Sequence, residues 1–271
     1  MEKESQKKVA LVTGGTSGIG LAAAELLREK GLRVYTLSRR TEASPFHLVC
    51  DVCDEAGCRA AAEAVIEKEG RLDVLLHCAG YGISGAGEFT PMAKAEQQLR
   101  VNLLGTANMV NAVIPFMRKQ GGGRIVLTSS VAGIVPIPFQ TWYSCSKAAV
   151  NSYTMSMANE LKPFGITLCA VLPGDTATGF TAARDKVEAG DGVYGGSIRR
   201  SVGKMEQDER KGVSPKKVAE LMACCALKKR VKPFYIPGFD YRCVGVLMRL
   251  LPSAAANWLV GKMYAASPRE K

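Results

Sequence analysis

Short apolar runs alternate along this chain with longer segments of helical periodicity. Most of the longer segments place apolar residues three or four positions apart, which predicts helices. Strands that alternate with helices indicate an α/β fold with a mainly parallel sheet. The apolar runs that each predict a buried strand lie at residues 9–13, 33–37, 46–50, 72–77, 124–128 and 165–172.

Three features interrupt the regular alternation. Residues 41–45 are too few for a crossover helix, so a plain loop is expected between the second and third strands. The helical stretch at about 95–118 contains Asn102 and Gly105, whose low helix propensity predicts a local kink. Residues 179–212 are rich in glycine and charged side chains, and we interpret them as a mobile lid or substrate loop.

The C-terminal part of the chain predicts one well-bounded helix and a broken apolar tail. Ser214 and Pro215 suit the N-cap and the first position of a helix that extends to about residue 227. Residues 234–236 predict a last short strand. The apolar stretch 244–265 is interrupted by arginine, proline and asparagine, so it predicts two short amphipathic helices and no membrane span.

The chain of 271 residues is strongly basic, with 36 Lys and Arg against 25 Asp and Glu. Residues 211–271 contain twelve of the basic residues and three acidic ones, so +9 of the net charge of +11 lies there. This asymmetry indicates an anionic partner: a phosphorylated cofactor, an acidic substrate or a membrane surface. A solvated basic face explains it equally well.

The nine cysteines follow no zinc-binding pattern, and their odd number argues against a disulfide framework. We interpret them as reduced thiols that pack as small apolar side chains. The chain opens on charged residues without the apolar core of a signal peptide. A cytoplasmic location is therefore expected.

A glycine-rich turn follows the first predicted strand and leads directly into a helix. Gly14, Gly18 and Gly20 lie in this turn. A strand, a glycine turn and a helix in this order are typical of a dinucleotide site. Glycine lets the backbone approach a pyrophosphate, and the helix N-terminus supplies N–H donors and a positive dipole. A tight turn without a ligand is the alternative.

The ends of the second and third strands carry residues that bear on the cofactor. Ser38, Arg39 and Arg40 stand where an acidic residue would bind the ribose hydroxyls of NAD, whereas arginine accommodates the 2′-phosphate of NADP. We therefore expect NADP(H), with NAD(H) accepted less well; two exposed loop arginines are the alternative. Asp51 could accept from the adenine amino group or cap the following helix.

Tyr143 and Lys147 are four residues apart in a helical run, so their side chains share one face. An ammonium beside a phenol lowers the pKa of the phenol and makes it an acid and base usable near neutral pH. Ser130 lies just beyond the strand at 124–128, at the edge where open α/β sheets bind ligands. For the Tyr-Lys pair alone, the alternative is a surface helix with a lysine that extends to solvent.

Together these residues resemble the short-chain dehydrogenase/reductase family over roughly residues 1–240. The resemblance implies one Rossmann-type, doubly wound parallel sheet of about seven strands flanked by helices, with residues 241–271 as a helical extension of the same domain. The matching motifs, in the family's order, are Thr13-Gly14-x-x-x-Gly18-Ile19-Gly20, Asp51-Val52, Ala79-Gly80, Asn102, Ser130, Tyr143-x-x-x-Lys147 and Pro173-Gly174 with Thr178.

The resemblance also implies a reaction, hydride transfer between a nicotinamide and a carbinol or carbonyl carbon. Tyr143 would be the acid and base, and Ser130 would hold the substrate oxygen. Lys147 would lower the tyrosine pKa and bind the nicotinamide ribose, while Asn102 would anchor a proton-relay water. Phe180 and Tyr194 are expected to join Ser130 and Tyr143 at the substrate, and no metal is expected. The expected cofactor-binding residues are Gly14, Thr16, Ser17, Gly18, Ile19, Gly20, Ser38, Arg39, Arg40, Asp51, Val52, Ala79, Gly80, Asn102, Tyr143, Lys147, Pro173, Gly174, Thr176 and Thr178.

Two departures from the family pattern refine these expectations. His77 and Cys78 stand where the family usually has two asparagines, and we expect His77 to be buried and hydrogen-bonded rather than catalytic. The missing helix after the second strand, the segments 138–139 and 162–166, and the apolar C-terminal extension resemble the branch that holds 17β-hydroxysteroid and retinol dehydrogenases.

We therefore expect an NADP(H)-dependent oxidoreductase that interconverts a secondary alcohol and a ketone on an apolar substrate, such as a hydroxysteroid or related lipid. A reductase of small carbonyls or 3-oxoacyl thioesters is the second hypothesis, and a non-catalytic dinucleotide-binding protein is the third. By resemblance, the helices at 95–118 and 146–161 would form a four-helix contact in a homodimer or homotetramer. The basic tail is expected to touch a membrane surface at most weakly, and no nucleic-acid partner is expected.

Overall fold

The computed structural model describes residues 7–265, in which strands alternate with helices. A π-helical segment, Arg100–Leu104, joins the third helix to the fourth. The strands are β1 (Val9–Thr13), β2 (Arg33–Ser38), β3 (His47–Val49), β4 (Val74–His77), β5 (Ile83–Ser84), β6 (Gly123–Thr128), β7 (Ile166–Val171), β8 (Asp185–Lys186) and β9 (Phe234–Tyr235). The helices are α1 (Gly18–Glu29), α2 (Glu55–Glu69), α3 (Met92–Leu99), α4 (Gly105–Lys119), α5 (Thr141–Leu161), α6 (Phe180–Ala183), α7 (Ser197–Arg210), α8 (Pro215–Leu227), α9 (Phe239–Leu250) and α10 (Ser253–Tyr264).

Seven strands form one sheet in the order β3-β2-β1-β4-β6-β7-β9, and every pairing in it is parallel. From β1 the chain winds outward through β2 and β3, then returns to β4 and winds outward on the other side. This is the doubly wound Rossmann arrangement, so the predicted fold class is confirmed. The direction reverses between β1 and β4, and the crevice beyond their carboxyl ends is where such sheets bind ligands.

Helices cover both faces of the sheet, which explains why its central strands are buried along nearly their whole length and are mostly apolar. Leu11 of β1 packs in the cluster that includes α2, α4 and α5, whereas its neighbour Val12 packs with α1 and α8 on the other face. Successive side chains of a strand point to opposite faces, so a strand buried on both sides needs a continuous apolar run.

Several local predictions are confirmed. No helix joins β2 to β3. The expected kink is the π-helical segment, which contains Asn102. Ser214 caps α8, since its side chain accepts a hydrogen bond from the Lys217 amide, and Pro215 is the first residue of that helix. The tail forms the two helices α9 and α10. None of the helices in residues 7–265 combines the length and apolar character needed to cross a bilayer.

The interpretation of residues 179–212 as a loop is wrong, because α6, β8 and the 14-residue helix α7 lie within them. Ile198, Ser201 and Met205 recur three and four positions apart and form the buried face of α7. Charged residues occupy most of the positions between them, so the overall composition concealed the helical period.

Candidate active site

Ser130, Tyr143 and Lys147 meet beyond the carboxyl end of β6. Ser130 directly precedes a short 3₁₀ turn, and its hydroxyl accepts from the amide of Ala132 at 3.1 Å. The Ser130 hydroxyl donates to the carbonyl of Pro173 at 3.3 Å, and Ser130 lies close enough to Tyr143 to lower the pKa of its phenol. Tyr143 and Lys147 are one turn apart on α5, and the Lys147 ammonium lies 5.8 Å from the centre of the Tyr143 ring. The structure thus brings three of the four predicted catalytic side chains together; the fourth is Asn102.

Burial raises the pKa of Tyr143 to about 12, and the nearby Ser130 hydroxyl and the charge of Arg184 offset only part of that rise. The expectation that Lys147 brings the phenol pKa towards neutrality is therefore wrong in this structure. Lys147 Nζ instead donates to the carbonyl of Thr128 at 2.9 Å, and burial lowers the pKa of this ammonium to about 8. At neutral pH the phenol keeps its proton, as a proton donor must.

Asn102 is buried in the π-helical segment and ties this segment to α5. Its Oδ1 accepts from the Tyr81 amide at 3.1 Å, and its Nδ2 donates to the Tyr81 carbonyl and to Ser146 Oγ, both at 3.0 Å. Ser146 immediately precedes Lys147, so Asn102 fixes the turn of α5 that carries the lysine. A side chain at Gly80 would lie 3.1 Å from Asn102 Oδ1 and 3.7 Å from Lys147 Nζ. Glycine at that position keeps the space beside both groups open.

The glycine turn after β1 has the geometry of a phosphate-binding turn. Gly14 and Gly18 have positive φ angles of 63° and 53°, which glycine adopts most readily. A Cβ on Gly20 would lie 2.3 Å from the Gly14 carbonyl oxygen, so only glycine fits there. Ser17 makes no side-chain cap at the start of α1, which leaves the helix N-terminus open to an anion. Thr16 and Ile19 lie half-buried in the same turn.

The loop after β2 presents the two predicted arginines to solvent. Ser38 Oγ accepts from the Arg40 amide at 3.2 Å and donates to the Arg40 carbonyl at 3.1 Å. His47 on β3 supports the same carbonyl through Nε2 at 2.7 Å, while its Nδ1 lies 2.9 Å from Thr36 Oγ1. His47 thus fixes the turn that displays Arg39 and Arg40. Sequence reasoning missed this role, because it depends on how β3 is aligned with β2.

The end of β3 contributes Asp51 and Val52. Asp51 is exposed, and its Oδ1 accepts from the amide of Cys53 at 2.9 Å. The N-cap residue of α2 is Asp54, so the alternative in which Asp51 caps that helix is wrong. Val52 is buried against Gly105, where a Cβ would come within 2.7 Å of the valine side chain.

The segment after β7 lies across the crevice from the glycine turn. Pro173 accepts at its carbonyl from the amide of Val131, at 2.9 Å. Thr176 Oγ1 donates to the Gly174 carbonyl at 3.0 Å. Thr178 faces the glycine turn, since a Cβ on Gly18 would lie 3.6 Å from the threonine side chain. Sequence motifs some 160 residues apart therefore border one crevice.

Of the two predicted substrate residues, Phe180 lies at the catalytic tyrosine and Tyr194 lies apart from it. The rings of Phe180 and Tyr143 are 5.6 Å apart between centres. Tyr194 packs edge-on against Phe89 and Phe139, and its hydroxyl donates to Glu88 at 2.7 Å. Phe180 forms an apolar wall beside the phenol, whereas no described contact joins Tyr194 to Tyr143.

Arg184 and Glu209 form a buried pair beside this wall, and sequence reasoning missed both. The Arg184 side chain is 1% exposed and pairs with Glu209, which also accepts from the Thr181 hydroxyl at 2.6 Å. Arg184 Cζ lies 5.6 Å from the centre of the Phe180 ring. Its Nη1 is buried and has no hydrogen-bond partner within residues 7–265. The pair places an unused donor near Tyr143, whose pKa the arginine lowers and the glutamate raises.

His77 is buried as predicted, but only one of its ring nitrogens has a partner. Thr13 Oγ1 accepts from the amides of Cys78 and Ala79 at 3.1 and 3.2 Å, so its own proton points to His77 Nδ1 at 3.0 Å. Nε2 then carries the ring hydrogen, and it is buried without a partner among the described residues. Burial lowers the pKa of His77 to about 3, so the ring is neutral. The expectation of full hydrogen bonding is wrong for Nε2.

These residues fit a nicotinamide dinucleotide. The open turn at Gly14–Gly20 suits a pyrophosphate, the end of β2 suits the adenosine ribose, and the space beside Gly80 lies next to Asn102 and Lys147. Within residues 7–265 no group of three or more His, Cys, Asp or Glu side chains is arranged to hold a metal ion. Fold and site together define a dinucleotide-dependent oxidoreductase.

Comparison with known proteins assigns the family. A family profile described as short chain dehydrogenase matches residues 8–189. A 3-ketodihydrosphingosine reductase of Bacteroides thetaiotaomicron is 36% identical over 263 residues, which cover 95% of each chain. This chain belongs to the short-chain dehydrogenase/reductase family, and it is an oxidoreductase.

Two further similarities bear on structure and substrate. A solved structure of a short-chain dehydrogenase from Streptomyces avermitilis is 28% identical and superposes with a TM-score of 0.81, over 96% of this chain and 97% of that one. A monensin polyketide synthase putative ketoacyl reductase of Streptomyces virginiae is 36% identical over 211 residues, or 68% of this chain and 80% of that protein.

Proposed function

We propose that this protein is an NADPH-dependent reductase of a ketone on a long-chain lipid that carries a polar head. The observation that carries the proposal is the environment of Tyr143, whose protonated phenol has the apolar ring of Phe180 on one side and the unused donor of Arg184 nearby. An apolar chain and a polar head next to the ketone would match these two surroundings. The similarity to a 3-ketodihydrosphingosine reductase supports the same substrate class.

The residues at the carboxyl ends of β1 to β4 would hold the dinucleotide, which supplies a hydride when it is bound. Arg39 and Arg40 would contact the 2′-phosphate of NADPH, because a guanidinium can donate two parallel hydrogen bonds to phosphate oxygens. Asn102, Gly80 and Lys147 border the space that the nicotinamide ribose would occupy. NAD(H) is expected to be used less well.

Proton transfer to the ketone oxygen would come from Tyr143. The half-buried phenol has a raised pKa and holds its proton at neutral pH, which suits a general acid in the direction of reduction. Ser130, which lies next to Tyr143, would turn its hydroxyl from the Pro173 carbonyl to the same substrate oxygen and set its position. Lys147 is one helical turn away, and its positive charge would stabilise the phenolate left after the transfer.

Arg184 Nη1 would bind an oxygen of the polar head. Its charge is balanced by Glu209, so a neutral acceptor such as a hydroxyl would suit it as well as an anion. Because the Phe180 ring contacts both Arg184 and Tyr143, the head and the reacting carbon would be close together in the substrate.

A 3-oxoacyl thioester reductase is the second candidate, favoured by the similarity to a ketoacyl reductase. Its substrates also carry a ketone near a polar group. Hydroxysteroids, which our sequence analysis expected, remain a third class to be tested, because the Phe180 wall suits any apolar body.

The experiment that tests the proposal measures the loss of NADPH absorbance with matched substrates. These are 3-ketodihydrosphingosine, a 3-oxoacyl thioester, a 3-ketosteroid and a simple long-chain ketone without a head group. We expect the highest kcat/KM for 3-ketodihydrosphingosine and at least tenfold less for the simple ketone. A higher value for the steroid or the thioester, or no turnover of any substrate, would overturn the proposal.

A further inference from the structure

Helix α9 has a second apolar face that points away from the protein. Its inner face packs through Tyr241, Gly245 and Met248, which follow one another at intervals of four and three residues. The same intervals recur on the opposite side, where the side chains are exposed. We name this face the outer stripe; it consists of Phe239, Cys243, Val246, Leu247 and Leu250.

The exposure of this stripe is large for apolar residues of this size. Phe239 and Leu250 are both 77% exposed, and Val246 is 59% exposed. Single exposed apolar side chains are common on protein surfaces and need no explanation. A continuous row of exposed apolar side chains along one helix does need an explanation. Contiguous apolar surface of this kind marks a contact with a protein or a membrane. Helix α10, joined to α9 by a two-residue link, adds the exposed Trp258.

The positive charge around the outer stripe indicates what kind of partner it binds. Arg242 and Arg249 are seven residues apart on α9, so both lie along one side of the stripe. Lys262 Nζ lies 4.5 Å from the centre of the Trp258 ring. Residues 228–264 contain seven Lys and Arg, all exposed, and one acidic residue, Asp240, which gives a local charge of +6. None of the seven forms an ion pair with another residue in the described range.

We propose that the outer stripe and its cationic border bind the surface of an anionic lipid bilayer, with α9 lying in the plane of the interface. A helix with an apolar face, flanking arginines and a neighbouring tryptophan has the composition of an interfacial helix. Anionic headgroups attract Lys and Arg close to the surface. A second copy of this chain is the less suitable occupant, because two such faces would bring local charges of +6 together.

This surface lies next to the candidate site. Tyr241 on the inner face of α9 packs on Gly174, where an added Cβ would lie 2.4 Å from the tyrosine ring. Its hydroxyl donates to Asp175 at 2.5 Å. Gly174 and Asp175 belong to the segment that borders the crevice, so a lipid bound by α9 would be close to the site. The proposal depends on α9 and holds even if the proposed substrate is wrong.

The test is flotation of the full-length protein with vesicles. We would compare neutral phosphatidylcholine vesicles with vesicles that also contain phosphatidylglycerol, at low and at high salt. We expect binding to the anionic vesicles, at least tenfold weaker binding to neutral ones, and weakening by salt because the ions screen exposed charges. Wild-type protein that binds neither kind of vesicle would overturn the proposal.

Variants distinguish the contribution of the outer stripe to vesicle binding from the contribution of the basic residues. Phe239→Ser with Leu250→Ser, which leaves the charge unchanged, should lower binding to anionic vesicles at least tenfold, and Arg242→Ala with Arg249→Ala should lower it severalfold. Val193→Ser is the matched control, since Val193 is also 77% exposed but lies far from α9 in the sequence, and it should bind like wild type. Circular dichroism melting checks that each variant is folded.

Two results would assign the surface differently. Unchanged binding of the stripe double variant would show that charge alone holds the vesicles, and the proposal would be wrong. A smaller mass of that variant in sedimentation velocity, without vesicle binding by wild type, would show that a second copy covers the stripe.

Discussion

Tyr143 is the residue on which the proposed chemistry depends. Its raised pKa keeps the proton on the phenol, so removal of the hydroxyl should remove the proton donor and little else. We expect Tyr143→Phe to lower kcat by about 10²–10⁴-fold, the usual contribution of general acid catalysis. NADPH affinity, measured by fluorescence titration, should change little. Near-normal turnover in this variant would contradict the mechanism.

His77 gives the fold a specific sensitivity to acid. The unfolded ring takes up a proton below about pH 6.5, whereas the buried ring stays neutral until about pH 3. The unfolded state therefore binds more protons in this window, and stability falls as the pH falls. This residue alone should cost about 1.4 kcal/mol per pH unit below pH 6.5.

The test compares wild type with His77→Asn, which restores the usual family residue. Urea unfolding at pH 7 and pH 5 should show a smaller loss of unfolding free energy in the variant, by about 2 kcal/mol. Carboxylate titration is common to both proteins and cancels in the comparison. Equal losses would mean that His77 is not held neutral.

At the scale of single elements, α7 is fixed to the site by the pair of Arg184 and Glu209. Removal of one partner of a buried pair leaves an uncompensated charge, which costs about 3–5 kcal/mol. We expect Glu209→Gln to lower the unfolding free energy by this amount. The matched control on the same helix is Asp208→Asn, whose pair with Lys204 is exposed and should be worth about 0–1 kcal/mol. Equal losses of unfolding free energy in the two variants, measured by denaturant titration, would show that the buried pair does not stabilise the position of α7.

The loop after β2 should decide the choice of cofactor. Ser38 carries no negative charge that would repel the 2′-phosphate of NADPH, and Arg39 would add charge-assisted hydrogen bonds of about 1.5–3 kcal/mol each. Arg39→Lys should weaken the binding of NADPH modestly, because the positive charge stays and the planar guanidinium with its paired donors is lost. Ser38→Asp with Arg39→Ala should reverse the preference, since one such bond is worth about one to two decades in affinity.

The measurement is the ratio of kcat/KM for NADPH and NADH. A wild-type ratio near one would contradict the prediction, as would an unchanged ratio in the double variant. Because His47 holds the Arg40 carbonyl, the wild-type loop is already in place before a phosphate binds.

For the whole molecule, α4 and α5 are the surfaces on which assembly is expected. Met155, a large apolar side chain on α5, is 44% exposed. If α4 and α5 of two copies pack as four helices, Met155→Glu should lower the mass in sedimentation velocity at micromolar concentration. Val49→Glu, on the edge strand β3, is the control and should leave the mass unchanged. A monomeric wild type would refute the predicted dimer or tetramer.

The sequence by itself determined that strands alternate with helices and form a parallel sheet. It also determined which residues meet at the carboxyl edge of that sheet. Continuous apolar runs identify strands buried on both faces, and glycines at fixed positions identify a turn that admits no side chain. These signals are local, or they repeat with a fixed period. The missing helix after β2 and the kink at Asn102 were predicted for the same reason.

Only the tertiary structure decided what depends on contacts between distant segments. Arg184 and Glu209 are 25 residues apart, and nothing in their spacing says that they pair beside Tyr143. The pKa of Tyr143 was predicted in the wrong direction, because its burial outweighs the neighbouring groups that lower the pKa. The outer stripe of α9 reads as an ordinary amphipathic pattern until the inner face is known. Burial, and with it charge state and exposed surface, is a property of the assembled chain.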